Sequence, residues 1–291
     1  MKLAIIANPV AGRGRAYQAV RQHIAEWAHP DWDVQILTTR EQDHAGLLAR
    51  ELLEHPPDLL AVCGGDGTVN EIVSHCPKPP FPVALLPAGT ANVLARELGL
   101  PLDPIKALEI ALKRTVKNVD VGVLENGAAR RFLFVAGIGL DAFAVFSARP
   151  GLKKKFGIAA YVVAIAECFR NYSFPEFLVI TGGRTFKATS CLVCNAKSYG
   201  GGLLFCPGAR MDDGLLDILV LEGERRIRLA GFLLRAWIKK PQSGPWIRRL
   251  QAQTLRIEGP AGVLVQTDGE LAGHLPLDVR LADTRFPLVV P

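Results

Sequence analysis

Over roughly the first 125 residues, short apolar runs alternate with stretches of helical periodicity. The runs Lys2–Ala7, Val34–Leu37, Leu59–Cys63 and Val83–Leu86 read as strands. Between and after them, Ala16–Trp27, Asp43–Leu53, Val69–Ser74, Ala91–Leu98 and Pro104–Lys113 read as helices. Strands alternating with helices of this length predict a parallel sheet covered on both faces. The strand runs are mainly apolar without clean alternation, as expected for strands buried on both sides.

After about Val119 the pattern changes. Phe132–Val135, Glu176–Ile180, Phe186–Cys194, Leu215–Leu221, Thr254–Ile257 and Gly262–Gln266 read as strands separated by glycine-containing turns. Helical periodicity survives clearly in Gly157–Phe169 and Arg226–Trp237. The expected fold is therefore α/β plus all-β: a doubly wound α/β domain over 1–122, then a β-sandwich over 123–283. The last residues, 284–291, contain a further strand pattern that can return to the first domain.

Composition narrows the class. At 49% hydrophobic and 21% charged residues the chain is ordinary globular protein, not a disordered one. The first apolar run is too short for a signal-peptide core and passes straight into a loop. The most apolar stretch elsewhere, Phe156–Ala166, falls short of the roughly 20 residues a membrane span needs. A cytoplasmic protein is expected. Six cysteines do not suggest a disulfide framework, and Cys191 and Cys194 lie in an apolar run as buried strand cysteines would. The net charge of +6 suits a nucleotide, a nucleic acid or an anionic membrane. No nucleic-acid-binding motif accompanies it, and the basic residues do not interleave with aromatics, so nucleic acid is not an expected partner.

Three glycine-containing loops follow predicted strands, where ligands bind in open α/β sheets. They are Asn8-Pro9-Val10-Ala11-Gly12-Arg13-Gly14, Gly64-Gly65-Asp66-Gly67-Thr68-Val69-Asn70-Glu71 and Pro87-Ala88-Gly89-Thr90-Ala91-Asn92. In the second, Gly64, Gly65 and Gly67 are expected to take positive φ angles and let the backbone approach phosphate. Thr68 is expected to cap the following helix, whose amides and dipole favour an anion. Bare phosphate would repel Asp66, so its presence points to a bridging Mg²⁺. A single such loop is also a common strand-helix junction; three in succession favour a nucleotide site. The chain lacks a P-loop, the protein-kinase motifs and a complete dinucleotide fingerprint.

In this order the three loops resemble those of the diacylglycerol-kinase catalytic domain family, bacterial lipid-kinase type. The likeness continues through Phe134–Asp141, Asn195–Gly202, Asp212–Asp217 and Thr267-Asp268-Gly269-Glu270, nearly the whole chain. It implies an ATP- and Mg²⁺-dependent kinase moving the γ-phosphoryl of ATP to a lipid hydroxyl such as that of diacylglycerol, with the active site in the cleft between the two domains. Carried over by motif, Asn8, Thr39, Gly64, Gly65, Asp66, Gly67, Thr68, Val69, Asn70 and Thr90 contact the nucleotide. Glu270 corresponds to the general base. Asp213, with the carbonyls of Arg210 and Leu215, corresponds to a structural Mg²⁺ site.

Independently of the family, an alcohol attacking phosphorus needs a carboxylate to take its proton. A lone Asp-Gly-Glu is otherwise a hairpin turn. His44 reads as a packing or capping residue and His274 as a surface one. A lipid acceptor implies peripheral association with a membrane. Lys153-Lys154-Lys155 with the apolar segment after Phe156, and the segment Trp237–Arg249, are the candidate surfaces. The rival functions are an NAD kinase-like enzyme and a non-catalytic nucleotide- or lipid-binding protein. Asn70-Glu71 directly behind the glycine loop favours the lipid kinase over the NAD kinase. The acceptor and the oligomeric state, a homodimer included, stay open.

Overall fold

The computed structural model describes residues 1–27, 31–147, 171–199, 202–223, 226–240 and 244–291. The chain forms two compact units, one of Met1–Val119 with Asp283–Pro291 and one of Asp120–Ala282.

The first unit contains β1 (Lys2–Ala7), α1 (Arg15–Ala25), β2 (Asp33–Thr38), α2 (His44–Glu51), β3 (Leu59–Gly64), α3 (Asp66–His75), β4 (Val83–Pro87), α4 (Val93–Glu97), α5 (Pro104–Ala111) and β5 (Val116–Val119). Its strands pair in the order β2-β1-β3-β4, all parallel. Every residue of β3 and β4 is buried. On one face Leu3, Ile5, Leu59, Ala61 and Leu86 pack with Val20 of α1 and Ala107, Leu108 and Ala111 of α5. Helices α2 and α3 pack against each other, on β1 and β3 respectively, so the sheet is covered as its apolar strands require. The start of α5 is encoded locally: the Asp103 carboxylate accepts the Ile105 and Lys106 amides, and Pro104 occupies the first turn.

The second unit contains β6 (Gly122–Glu125), β7 (Ala129–Phe132), β8 (Val135–Gly139), α6 (Leu140–Ser147), β9 (Phe177–Thr181), β10 (Arg184–Ala188), β11 (Ser190–Cys194), β12 (Ser198–Tyr199), β13 (Leu203–Leu204), β14 (Leu216–Leu221), α7 (Arg226–Trp237), β15 (Ile247–Ala252), β16 (Thr254–Glu258), β17 (Leu264–Thr267), β18 (Glu270–His274) and β19 (Leu277–Leu281). Two antiparallel sheets, β10-β9-β16-β19-β6-β7 and β15-β14-β11-β8-β17-β18, form the sandwich. Their inner faces share one core that includes Phe132, Ile138, Phe177, Val193, Ile218, Ile257 and Val279.

The last strand, β20 (Phe286–Val289), lies in the sheet of the first unit, parallel to β4 and antiparallel to β5.

Several sequence expectations change. Phe132–Val135 is not one strand: it spans the break between β7 and β8, which belong to opposite sheets. Phe186–Cys194 likewise divides at Thr189, where the chain crosses from β10 to β11. Phe132-Leu133-Phe134-Val135 is apolar and buried at every position, so its pattern carries no mark of the crossing. Strands β6, β15, β18 and β19 and the short helix α6 were not anticipated. Cys191 and Cys194 are buried in β11. Three residues apart on a strand, their side chains point to opposite faces and do not form a chelating pair. Burial raises the Cys191 thiol pKa, while Cys194 is raised first by its hydrogen bond with Cys206 and then by burial. The expected helix Gly157–Phe169 and Lys153–Lys155 lie outside the described residues.

Candidate active site

The strand order reverses between β1 and β3, since β2 lies on one side of β1 and β3 on the other. Ligands of open α/β sheets bind beyond the strand ends at such a switch point. The loops after β1 and β3 leave there side by side, with the Asn8 amide donating to the Cys63 carbonyl at 2.9 Å. Thr39 follows the neighbouring strand β2, its amide donating to the Ala7 carbonyl at 2.9 Å, and is buried. Ala88, opening the third loop, donates to Gly64 O at 2.9 Å.

Side-chain-free approaches weld the three loops together. A Cβ on Gly12 would stand 2.4 Å from the Ala88 carbonyl oxygen, and one on Gly65 would stand 3.2 Å from Gly89 Cα. Gly12 also has φ +55°. Gly64, Gly65 and Gly67, by contrast, have no positive φ, contrary to expectation. Gly64 is needed for space, because its Cβ would meet the Thr68 side chain at 2.6 Å. Gly67 faces open space, which leaves its backbone approachable.

Helix α3 begins at Asp66, with Gly65 as its N-cap and no side-chain cap. Thr68 is thus inside the first turn, packed on Gly64, and does not cap. Glycine at the cap leaves the amides and dipole of the helix end to an external anion. The buried Asn70 Oδ1 has no hydrogen-bond partner, which suits a donor from a ligand. Val69 is part of the core, so it can meet a ligand through its backbone alone. Thr90 is exposed, and Asn8 turns its Oδ1 onto the Val10 amide at 3.1 Å.

Asp66 makes contacts within the chain that the local pattern does not announce. Its two carboxylate oxygens accept the Val93 and Leu94 amides, at 3.0 and 2.9 Å. It fastens the second loop to the start of α4. Asn92 completes the third loop by accepting the Gly89 amide and donating to its carbonyl, both at 2.9 Å. Glu71 accepts the Ala45 amide at 3.1 Å, and His44 Nδ1 accepts the Arg40 amide at 3.0 Å. Both hold the surrounding helices in place.

In the second unit, Glu270 is exposed at the start of edge strand β18. The turn before it has Asp268 at φ +50° and Gly269 at φ +92°, between the paired Thr267 and Glu270. Two central residues with positive φ make a type I′ hairpin, the turn that Asp-Gly favours. It is no loose surface turn. The Asp268 carboxylate accepts three amides, from Leu133 at 2.7 Å, Phe134 at 3.0 Å and Val135 at 2.9 Å. The fully buried Gln266 accepts the Gly269 amide at 2.7 Å and donates to Asp141 Oδ2 at 2.5 Å. Burial pushes the Asp141 carboxyl up to about 6, against the lowering effect of the Gln266 hydrogen bond. Gln266, Asp141 and the anchoring role of Asp268 escaped the sequence reading; a glutamine within an apolar strand was their one visible sign.

The loop Arg210–Leu215 is also in this unit. Asp213 is exposed and accepts the Leu215 amide at 3.1 Å, while Asp120 accepts the Gly214 amide at 2.7 Å. Arg210 pairs with Asp212 at 3.2 Å. Asp217, in β14, has a buried Oδ2 without a partner. Burial chiefly raises its pKa, and the Asp213 charge adds to this. The strands flanking this loop and Glu270, β14 and β18, are four positions apart in their sheet, about 19 Å. Among the described residues no three His, Cys, Asp or Glu side chains gather as a metal-binding group.

The model of the diacylglycerol kinase catalytic domain matches residues 2–124, and that of the YegS C-terminal NAD kinase beta sandwich-like domain matches 135–290. The chain belongs to the diacylglycerol-kinase catalytic domain family. A diacylglycerol kinase of Mycobacterium tuberculosis is 30% identical over 100% of this chain and 95% of its own. The crystal structure of a putative diacylglycerol kinase from Bacillus anthracis superimposes with a TM-score of 0.82 at 30% identity, covering 100% of this chain and 95% of that one. An NAD kinase from Archaeoglobus fulgidus, solved with ATP, shares the fold alone: TM-score 0.56 at 10% identity, over 99% and 93% of the two chains.

Proposed function

We propose that this protein is an ATP- and Mg²⁺-dependent lipid kinase, moving the γ-phosphoryl of ATP to a hydroxyl of a lipid such as diacylglycerol. The observation that carries this reading is the cluster of three interlocked loops at the strand-order switch, built around the uncapped N-terminus of α3. Backbone amides there suit phosphate oxygens, and Thr39, Asn70 and Thr90 supply further polar contacts for the nucleotide. Family membership supports the lipid as acceptor.

In the reaction the acceptor oxygen attacks the γ-phosphorus, and the bond from that phosphorus to the β-bridging oxygen breaks. Glu270 takes the hydroxyl proton. A magnesium ion bound with the triphosphate supplies neutralisation of charge on the transferred group. For a second, structural cation, Asp213 with the carbonyls of Arg210 and Leu215 offers oxygen donors only, the set preferred by a hard ion. The Asp217 oxygen without a partner adds to the local negative potential. On this reading the protein works in the cytoplasm, associated peripherally with the membrane that holds its acceptor.

The test is phosphorylation of a lipid panel by labelled ATP with Mg²⁺. Glu270→Gln should lower turnover by about 10²-fold or more, the range for a general base. ATP should still raise the melting temperature of the variant. Full activity in Glu270→Gln would remove Glu270 from the mechanism.

A further inference from the structure

Helix α7 is held in the second unit by one side. Phe232 is buried, stacked on Phe205 at 5.8 Å between ring centroids and edge-on to Trp246 at 6.2 Å. Ala236, one turn on, is fully buried as well. At 100° per residue, Leu234, Trp237 and Ile238 project between about 140° and 240° around the helix from Phe232, on the opposite face. All three are in the open, with 53%, 72% and 49% of their surface exposed.

The end of this helix is cationic. Lys240 donates its amide to the Arg235 carbonyl and Lys239 to that of Ala236, at 2.9 and 3.3 Å. This is the paired closure of a Schellman motif. Its left-handed position, usually glycine, is taken by Lys239 at φ +54°. A lysine near a helix C-terminus is favourable for the helix dipole, which accounts for the charge. It does not account for an exposed Trp237 flanked by two exposed aliphatics.

We propose that this outward face of α7 is the surface by which the protein docks on an anionic lipid bilayer. Leu234, Trp237 and Ile238 enter the headgroup–acyl boundary, the usual depth of an interfacial tryptophan, while Lys239 and Lys240 remain at the phosphates. The proposal rests on the lipid-kinase reading, which requires a protein without a spanning helix among its described residues to reach an acceptor in a membrane. Charge selects the occupant: the lysines complement anionic headgroups and would repel one another across an interface between two copies.

The experiment is co-sedimentation of the intact protein with vesicles of phosphatidylcholine, with and without 30 mol% (an order-of-magnitude anionic content) phosphatidylglycerol. Binding should need the anionic lipid and weaken with salt. Leu234→Ser/Trp237→Ser/Ile238→Ser should raise the lipid needed for half-binding at least about tenfold. Lys239→Glu/Lys240→Glu should raise it too, roughly fivefold or more per lysine. Brominated lipids should quench wild-type fluorescence more strongly than that of Trp237→Phe. Unaltered vesicle binding in the apolar triple variant would overturn the proposal. So would a dimer that the triple variant converts to monomer by sedimentation velocity without loss of vesicle binding. Phosphorylation of a water-soluble, short-chain diacylglycerol should be equal in wild type and triple variant. A wild type inactive on every acceptor would refute the kinase reading, with the vesicle result still deciding the docking surface.

Discussion

Asp141 shows how far the setting of one side chain matters. Its carboxylate is held by Gln266, which also holds the Gly269 amide next to Glu270. Because burial raises its pKa to about 6 from 3.8, the folded protein binds this proton more tightly than the unfolded chain. Stability from this group is therefore greatest below the unfolded value and falls as pH rises from about 4 to 6, by up to about 3 kcal/mol. Asp141→Asn keeps an acceptor for Gln266 and has no charge to desolvate. Urea unfolding at pH 8 should find it more stable than wild type by about 1–3 kcal/mol, with a flatter dependence between pH 4 and 7. None of this was visible in Leu140-Asp141-Ala142. An acid after a glycine-rich strand looks alike whether solvated or buried, and the difference is made by packing against distant parts of the chain, Gln266 among them.

At the scale of elements, the β17–β18 hairpin is what would present Glu270 in the proposed reaction. Its turn chemistry was legible, since Asp-Gly flanked by strand residues calls for a type I′ turn. Its anchorage was not, because the three amides bound by Asp268 lie 133 to 135 residues earlier, in the β7–β8 crossing. Asp268→Asn keeps one acceptor oxygen and turns a donor toward one of those amides. It should lower kcat by about 10–100-fold while leaving KM for ATP within about twofold, since the turn moves and the three loops proposed for the nucleotide do not. A fall in both parameters together, or in neither, measured by steady-state kinetics, would argue against a role in placing Glu270. The glycine loops teach the same lesson. Their positions were read from sequence, yet the reason for Gly64 is the Thr68 side chain beside it rather than its own φ angle.

For the whole molecule, the return of β20 ties the end of the chain to the beginning. It fills the place between β4 and β5, and Phe286, Leu288 and Val289 are buried there. Without it β5 has no neighbour in the sheet. Removing residues 283–291 should therefore abolish cooperative melting of the first unit and its stabilisation by ATP. A fragment of 1–119 joined to 283–291 by a short flexible linker should recover both, as read by circular dichroism and thermal shift. A truncated chain that melts and binds ATP like wild type would show that the sheet closes without its last strand.

The sequence alone determined the alternation of strand and helix in the first unit, the three loops, the Asp-Gly turn and the strand-rich second half. Those follow from side-chain period and turn chemistry, which act over a few residues. Tertiary structure alone decided that Phe132–Val135 and Phe186–Cys194 each divide between two sheets. It also decided that Asp66 clasps α4, that Asp268 anchors the hairpin and that Asp141 is burdened by burial. Each depends on partners brought together by packing from distant parts of the chain, and local pattern holds no information about which buried amide a carboxylate will meet.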